Sequence, residues 1–271
     1  MTTHGKGKGM REAFLSDIHF GSMDQDLVAW ELALSLLRED PPDLIFLGGD
    51  IFDFLNMARY LRDPTYTLTF QDELDIGEYQ LERLRQACPS SKIWLLPGNH
   101  DTPRLQKAIW SKMPELAGLK ALRYENLIDY KALDIEVFPE GEPIKVGKLW
   151  HLHGHEVLKS SRVNPAKALL DVIHDNAICG HVHKFTTYHE WDMDKLQYAA
   201  WTNGCLASLT PHYTLKPDWC QGFTLIDYTS TGFFSVKPVL FFHLPDAKSH
   251  RGCVLNGELR TTVDLPGITE I

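Results

Sequence analysis

Nowhere in the 271 residues does an apolar run approach the roughly 20 positions a bilayer-crossing helix needs. Residues 1–9 hold basic side chains with no apolar stretch behind them, which reads as a flexible leader and not as a secretory signal. Their Gly5-Lys6-Gly7-Lys8-Gly9 run lacks both the preceding strand and the Gly-Lys-Ser/Thr ending of a phosphate-binding loop. The five cysteines are odd in number and show no C-x-x-C spacing, which argues against a disulfide framework and a thiolate zinc site. A reducing, cytoplasmic setting fits that usage. Basic charge is also scarce: the formal net charge is −9, so the chain lacks the cationic excess that drives non-specific nucleic-acid binding. No internal repeat stands out. No serine or cysteine nucleophile motif is present either, since Gly204-Cys205 has no assignable partner.

What remains is an ordinary globular composition, 44% hydrophobic and 23% charged. That length builds a large core without staples. Apolar strand-like runs alternate with helix-period segments through the first half, the pattern of α/β folds. Strands are predicted at 10–15, 44–47 and 93–96. A helix is predicted from an N-cap at Asp24, with Leu27, Trp30, Leu34 and Leu37 on one side, until Pro41-Pro42 stops it. After a less regular stretch at 56–72, Ile76, Tyr79, Leu81 and Leu84 mark a second helix, and Thr102-Pro103 starts a third. Residues 134–138 and 144–152 read as a strand pair, 165–173 as a helix and 177–179 as a buried strand. Further strands follow at 186–191, 197–201, 222–228 and 233–242. The tail, 245–271, is polar and weakly patterned. The organisation expected is a leader (1–9), one domain (10–244) and a C-terminal extension (245–271).

Five short runs carry most of the chemistry. They are Asp17-Ile18-His19, Gly49-Asp50-Ile51-Phe52-Asp53, Gly98-Asn99-His100-Asp101, His153-Gly154-His155 and Gly180-His181-Val182-His183. Each follows an apolar run, so each falls where a strand would end, and ligands bind beyond the carboxyl ends of strands in α/β sheets. On an extended strand end, residues i and i+2 face the same way, which lets Asp17 and His19, or His181 and His183, reach one ion. Mixed nitrogen and oxygen donors suit Mn, Fe, Zn or Ni better than Ca or Mg. By contrast, Asp43, Asp129 and Asp134 read as turns, caps or solvated positions, and Cys179 as a core residue.

In this order the runs resemble the calcineurin-like metallophosphoesterase superfamily, whose pattern is D-x-H, G-D-x-x-D, G-N-H-[DE], H, G-H-x-H. The resemblance implies an α/β fold, a double β-sandwich flanked by helices in four α/β/β/α layers, with two divalent metal ions at one end. Manganese is the first choice of metal, with iron, zinc or nickel as alternatives. Carried over by motif, one ion takes Asp17, His19, Asp50 and His183; the other takes Asp50, Asn99, His153 and His181. His153 is chosen over its neighbours by the family's His-Gly usage, leaving His155 behind the ligands or against substrate. His100 is implied as the residue acting on substrate, oriented by Asp101, and Asp53 as a hydrogen-bond partner of a ligating histidine or nearby backbone. Two such ions lower the pKa of a shared water, and His100 as general acid protonates the leaving oxygen.

The implied substrate is a phosphoester, with DNA, RNA or a nucleotide diester first. Arg59, Tyr60, Arg62, Tyr66 and Arg104 are candidates to touch it, as are Lys184, Tyr188 and the aromatic segment 201–219. Two other branches stay open, a UDP-diacylglucosamine-type pyrophosphohydrolase and a small-molecule phosphomonoesterase. So does a different class, a non-catalytic metal-binding scaffold. No stable membrane insertion is expected, and a homodimer is left open.

Overall fold

The computed structural model describes residues 9–58, 63–158, 163–191, 193–194, 196–211, 217–245, 247–263 and 265. Strand β1 (Met10–Leu15) is followed by helix α1 (Leu27–Glu39), strand β2 (Leu44–Leu47), helix α2 (Phe70–Ala87) and strand β3 (Lys92–Leu95). One π-helical turn, His100–Arg104, runs directly into α3 (Leu105–Lys112). Then come β4 (Ile135–Val137), β5 (Ile144–Val146), β6 (Leu149–Leu152), α4 (Pro165–Ile173) and β7 (Ala177–Cys179). The chain closes with β8 (Thr186–Trp191), β9 (Gln197–Thr202), β10 (Gln221–Tyr228), β11 (Phe234–Leu244), β12 (Ala247–Leu255) and β13 (Glu258–Thr261).

Among the described residues the strands form two sheets, ordered β13-β12-β11-β10-β1-β2-β3-β4 and β5-β6-β7-β9-β8. Strict alternation makes the layers. In β1 and β2, Ala13, Leu15, Ile45 and Leu47 join the core under α1 and α2, whereas Phe14, Leu44 and Phe46 point at the second sheet. Leu149 and Ile178 meet them from that sheet. Helix α4 covers its outer face, with Leu169 and Leu170 packed near Ala177, Cys179 and Ala200. The order of layers is therefore helices, sheet, sheet, helix, the expected α/β/β/α sandwich. Each fully buried Trp30, Phe14 or Phe46 contributes roughly 1.5–3 kcal/mol by leaving water.

Several local expectations need correction. The cap of α1 is Asp26, not Asp24: its Oδ1 accepts the Ala29 N–H at 2.9 Å, while Oδ2 accepts from Gln221 and from Arg251. That carboxylate ties α1 to β10 and β12, a tertiary choice that local spacing does not reveal. The second helix starts at Phe70, fixed by a capping box between Thr69 and Asp72. The third begins three residues ahead of Pro103, in the π turn. Residues 134–138 and 144–152 are not a pair. Strand β4 lies parallel to β3, whereas β5 and β6 form their own hairpin in the other sheet, so the intervening turn carries the chain between layers. The polar segment after Pro245 forms β12 and β13; on the covered face of β12, Cys253 joins the core and Arg251, two residues before it, reaches Asp26. No helix among the described residues is long and apolar enough to cross a membrane.

Candidate metal centre

β1, β2 and β3 run parallel in one sheet, as do β6 and β7 in the other, so five carboxyl ends open on one edge of the sandwich. Asp17 and His19 follow β1; Asp50 and Asp53 follow β2; Asn99 and His100 follow β3. His153 and His155 follow β6, and His181 and His183 follow β7.

The backbone there is not extended. Asp17 (φ 56°), His19 (φ 56°), Asp50 (φ 51°), His181 (φ 68°) and His183 (φ 56°) are all left-handed. The same-side argument for residues i and i+2 of a strand is therefore replaced by alternate left-handed residues in a tight turn. Such a conformation costs each non-glycine residue roughly 1–3 kcal/mol and persists only when surroundings over-determine it. Here they do. Asp17 donates its N–H to the Gly49 carbonyl at 2.9 Å, Ile18 and His19 donate to the Asp50 carbonyl, and His181 donates to Asp17 Oδ2 at 3.0 Å. Glycine is required at Gly49 (φ 89°), where a Cβ would lie 2.5 Å from His153 Nδ1 and 2.7 Å from the Gly98 nitrogen.

Two groups of donors result. Ligand atoms of Asp17, His19 and His183 lie within 4.8 Å of one another, and so do those of Asp50, His153 and His181. Asn99 Oδ1 stands 3.1 Å from His153 Nε2. A third such group, His19, Asp53 and His100, was not foreseen. Asp17 and Asp50 are buried, and His19 Nε2 and His183 Nδ1 are buried with no hydrogen-bond partner. Orphaned imidazole nitrogens beside buried carboxylates fit divalent cations, which would take those lone pairs and offset that charge.

The electrostatics agree. Burial disfavours the charge on Asp50, yet His153, His100 and His19 outweigh it and hold its pKa well below the usual carboxylate range. Burial also opposes the charge on His153, but Asp50 and Asp17 win and raise it to about 10. Its Nδ1–H donates to the Gly48 carbonyl at 2.8 Å, and Nε2 faces Asp50 Oδ2 at 3.2 Å. A proton on Nε2 thus supplies positive charge among these oxygens, and a metal cation would displace it. His181, lowered to about 4 by burial and then by His153, keeps its lone pair.

The carboxylate on His100 is that of Asp53, not Asp101. His100 Nδ1 stands 2.6 Å from Asp53 Oδ1, which also lies 3.4 Å from His19 Nδ1. Asp101 instead accepts backbone N–H bonds from Gly98 at 2.8 Å, Phe52 at 3.0 Å and Ile51 at 3.3 Å, bracing the turns that carry Asp50 and Asn99. Burial, then Asp50, raise its pKa to about 7. Arg104 contacts the site through its own residues: Nη1 donates to Asp53, and Nη2 lies 2.9 Å from His100 Nε2. His155 bonds Glu140 at 3.0 Å, its ring 5.4 Å from that of His153. His151, two residues before His153, points away into the core, where Nε2 meets Glu12 at 2.7 Å. Tyr66 is committed to the Gly21 carbonyl and Glu73. Arg59, Tyr60 and Arg62 lie outside the described residues.

Sequence reasoning missed Lys107 and Glu140, which share a cavity with Asn99, Arg104 and His155. The helical spacing of Lys107 from His100 and Arg104 was the available signal. Trp219, inside the aromatic segment already singled out, packs its ring 4.3 Å from that of His183.

Residues 10–204 match the model of the calcineurin-like phosphoesterase family, and the chain belongs to that family. It is a metallophosphoesterase by membership, a class that hydrolyses phosphoester bonds with divalent metal ions. Among solved structures it is similar to nuclease MPE of Pseudomonas putida, with 17% identity, 84% of this chain and 87% of that one covered, and a TM-score of 0.38. It is also similar to Vps29 of Chaetomium thermophilum, with 13% identity, 93% and 97% covered, and a TM-score of 0.47. No curated protein matches.

Proposed function

We propose that the chain is a dinuclear metal-dependent phosphodiesterase acting on nucleic acid or nucleotide diesters. The observation that carries this reading is the pairing of two donor groups, Asp17/His19/His183 and Asp50/His153/His181, on one sheet edge with His19 Nε2 and His183 Nδ1 unpartnered. Asp17, His19, Asp50 and His183 would hold one cation, and Asp50, Asn99, His153 and His181 the other, with manganese the metal of choice. Bound there, divalent cations lower the pKa of water and withdraw charge from phosphate oxygens.

The chain's own contribution is the proton. A diester releases a poor leaving group unless that oxygen is protonated, and His100 stands beside Asp50 and Asp53 to do so from Nε2. Asp53 fixes the ring by accepting from Nδ1–H. At rest Nε2 accepts from Arg104, and burial lowers the His100 pKa. To donate, Nε2 exchanges its bond from Arg104 for a proton taken from solvent, a charge that Asp50 and Asp53 beside the ring favour, while Arg104 stays on Asp53. Trp219 packs its ring on that of His183 at the same edge, bringing an aromatic side chain next to the donor groups. A non-catalytic scaffold has no use for His100 held in this way.

The test is hydrolysis of bis(p-nitrophenyl) phosphate with added Mn, before and after chelation, followed by single-stranded DNA, duplex DNA, RNA and cyclic nucleotides. Chelator-sensitive turnover of the diester supports the reading. No turnover with Mn, Fe, Zn or Ni overturns it, and cleavage of none of the nucleotide substrates removes the nucleic-acid assignment.

A further inference from the structure

Beside Asn99 a cavity of about 470 Å³ opens off the metal-ligand edge, walled by Met57, Arg104, Lys107, Glu140 and His155. Its charges are unequal in availability. Arg104 is held by Asp53, and Glu140 is taken up by His155 at 3.0 Å. Lys107 is exposed and makes no hydrogen bond or ion pair with the described residues. Among the described residues that wall it, Lys107 thus brings an ammonium without a partner and Glu140 a carboxylate that already has one. Arg104 and Lys107 are three residues apart where the π turn runs into α3, so they share one side there, and Arg104 also reaches the His100 ring.

We infer that this cavity is an anion subsite that holds a second phosphate of the substrate, on the ammonium of Lys107. This rests on the proposed phosphodiesterase reading and narrows its substrate class. From His100 the chain runs one π turn and then into α3 before reaching Lys107, which sets the two side chains nearly two turns apart along the axis and favours a second phosphate beyond the reach of one bridging oxygen. The second phosphate is therefore separated from the reacting one by a linker the size of a sugar, as in a polynucleotide. The terminal phosphate of a pyrophosphate would remain among the metal ligands, and a cyclic mononucleotide has no second phosphate to offer.

The experiment measures binding without turnover, so it reads the subsite whether or not a bond is cleaved. Thymidine 3′,5′-bisphosphate and thymidine 5′-monophosphate are titrated calorimetrically into the Mn-loaded protein, its Lys107→Ala variant and its Lys107→Arg variant. The second phosphate is expected to tighten binding to the unmodified protein about tenfold, the worth of one charge-assisted contact. That advantage should disappear in Lys107→Ala and persist in Lys107→Arg. Equal affinities for the two nucleotides in the unmodified protein, or an advantage retained in Lys107→Ala, would overturn the subsite. The diesterase reading is judged separately by hydrolysis of bis(p-nitrophenyl) phosphate, which carries no second phosphate.

Discussion

Asp53 Oδ1 accepts from His100 Nδ1 at 2.6 Å and from Arg104 Nη1 at 2.9 Å, so one buried carboxylate oxygen sets both the tautomer of the imidazole and the position of the guanidinium. Burial works against that charge, yet the bonds from His100 and His19 keep its pKa well below the usual range. Asp53→Asn keeps the size and loses the charge. Loss of an outer carboxylate of this kind lowers metal affinity or activity by about 10- to 100-fold. Metal titration and kcat measured together should show both falling, because Asp53 also contacts His19; a variant with native values in both would contradict the assignment.

Removing the imidazole itself separates its role from metal binding. His100→Ala should retain its metal, since the two donor groups do not need it. On alkyl diesters the loss should reach about 10²–10⁴-fold, with a much smaller loss on aryl esters whose leaving groups depart unaided. Equal losses on both substrates would remove the proton-donor role.

Glycine at position 180 is a steric requirement. A Cβ there would lie 2.5 Å from Ser16 Oγ and 2.6 Å from Asp17 Oδ2. Gly180→Ala should push Asp17 away from His183 and lower metal content measured by elemental analysis, while far-ultraviolet circular dichroism stays native. Full metal content in the folded variant would show that Asp17 tolerates displacement.

A pH effect is expected from Glu73, buried in α2 with Oε2 unpartnered and Oε1 holding Asn56 and Tyr66. Burial raises its pKa above the ordinary 4.5, against the hydrogen bonds from Tyr66 and Asn56. The folded state thus keeps a proton that the unfolded state releases, and stability falls as pH rises from the unfolded value through the folded one. Glu73→Gln lacks this term, so its stability relative to the parent should increase across that window and then level off. Denaturation curves at several pH values test this; a pH-independent difference would refute it.

Between the sheets, Glu12 bonds His151 at 2.7 Å and accepts from Tyr228 at 2.9 Å, with Glu12 and His151 fully buried. Glu12→Ala leaves both partners in the core without an acceptor. The expected cost is about 1–3 kcal/mol for each donor left unsatisfied, read by urea denaturation. A loss below about 1 kcal/mol, the range of exposed pairs, would mean water replaces the carboxylate.

Much of this was legible in the sequence, and the gaps have physical causes. β1, β2, α4 and β7 fall where apolar runs and helical spacing put them, because burial on one or both faces writes itself into residue type. The candidate ligand runs were visible because donor atoms for a metal must be particular side chains. Their left-handed backbone was not, since Asp17, His19 and His181 reach positive φ only through hydrogen bonds from strands distant in sequence. Asp53 and Asp101 follow the same logic: both are acids near His100, and only the folded turns decide which one meets its ring. The true cap of α1, Asp26, depends on Arg251, 225 residues away. β12 and β13 escaped notice because an edge pair with one covered face needs few apolar residues.

The central claim is that Asp17, His19, Asp50, Asn99, His153, His181 and His183 gather two cations at one sheet edge. A crystal grown with manganese, measured at the Mn absorption edge, tests it most directly. The account predicts two anomalous peaks about 3.5–4 Å apart, with Asp50 between them. A single peak, or none, among these side chains would contradict it.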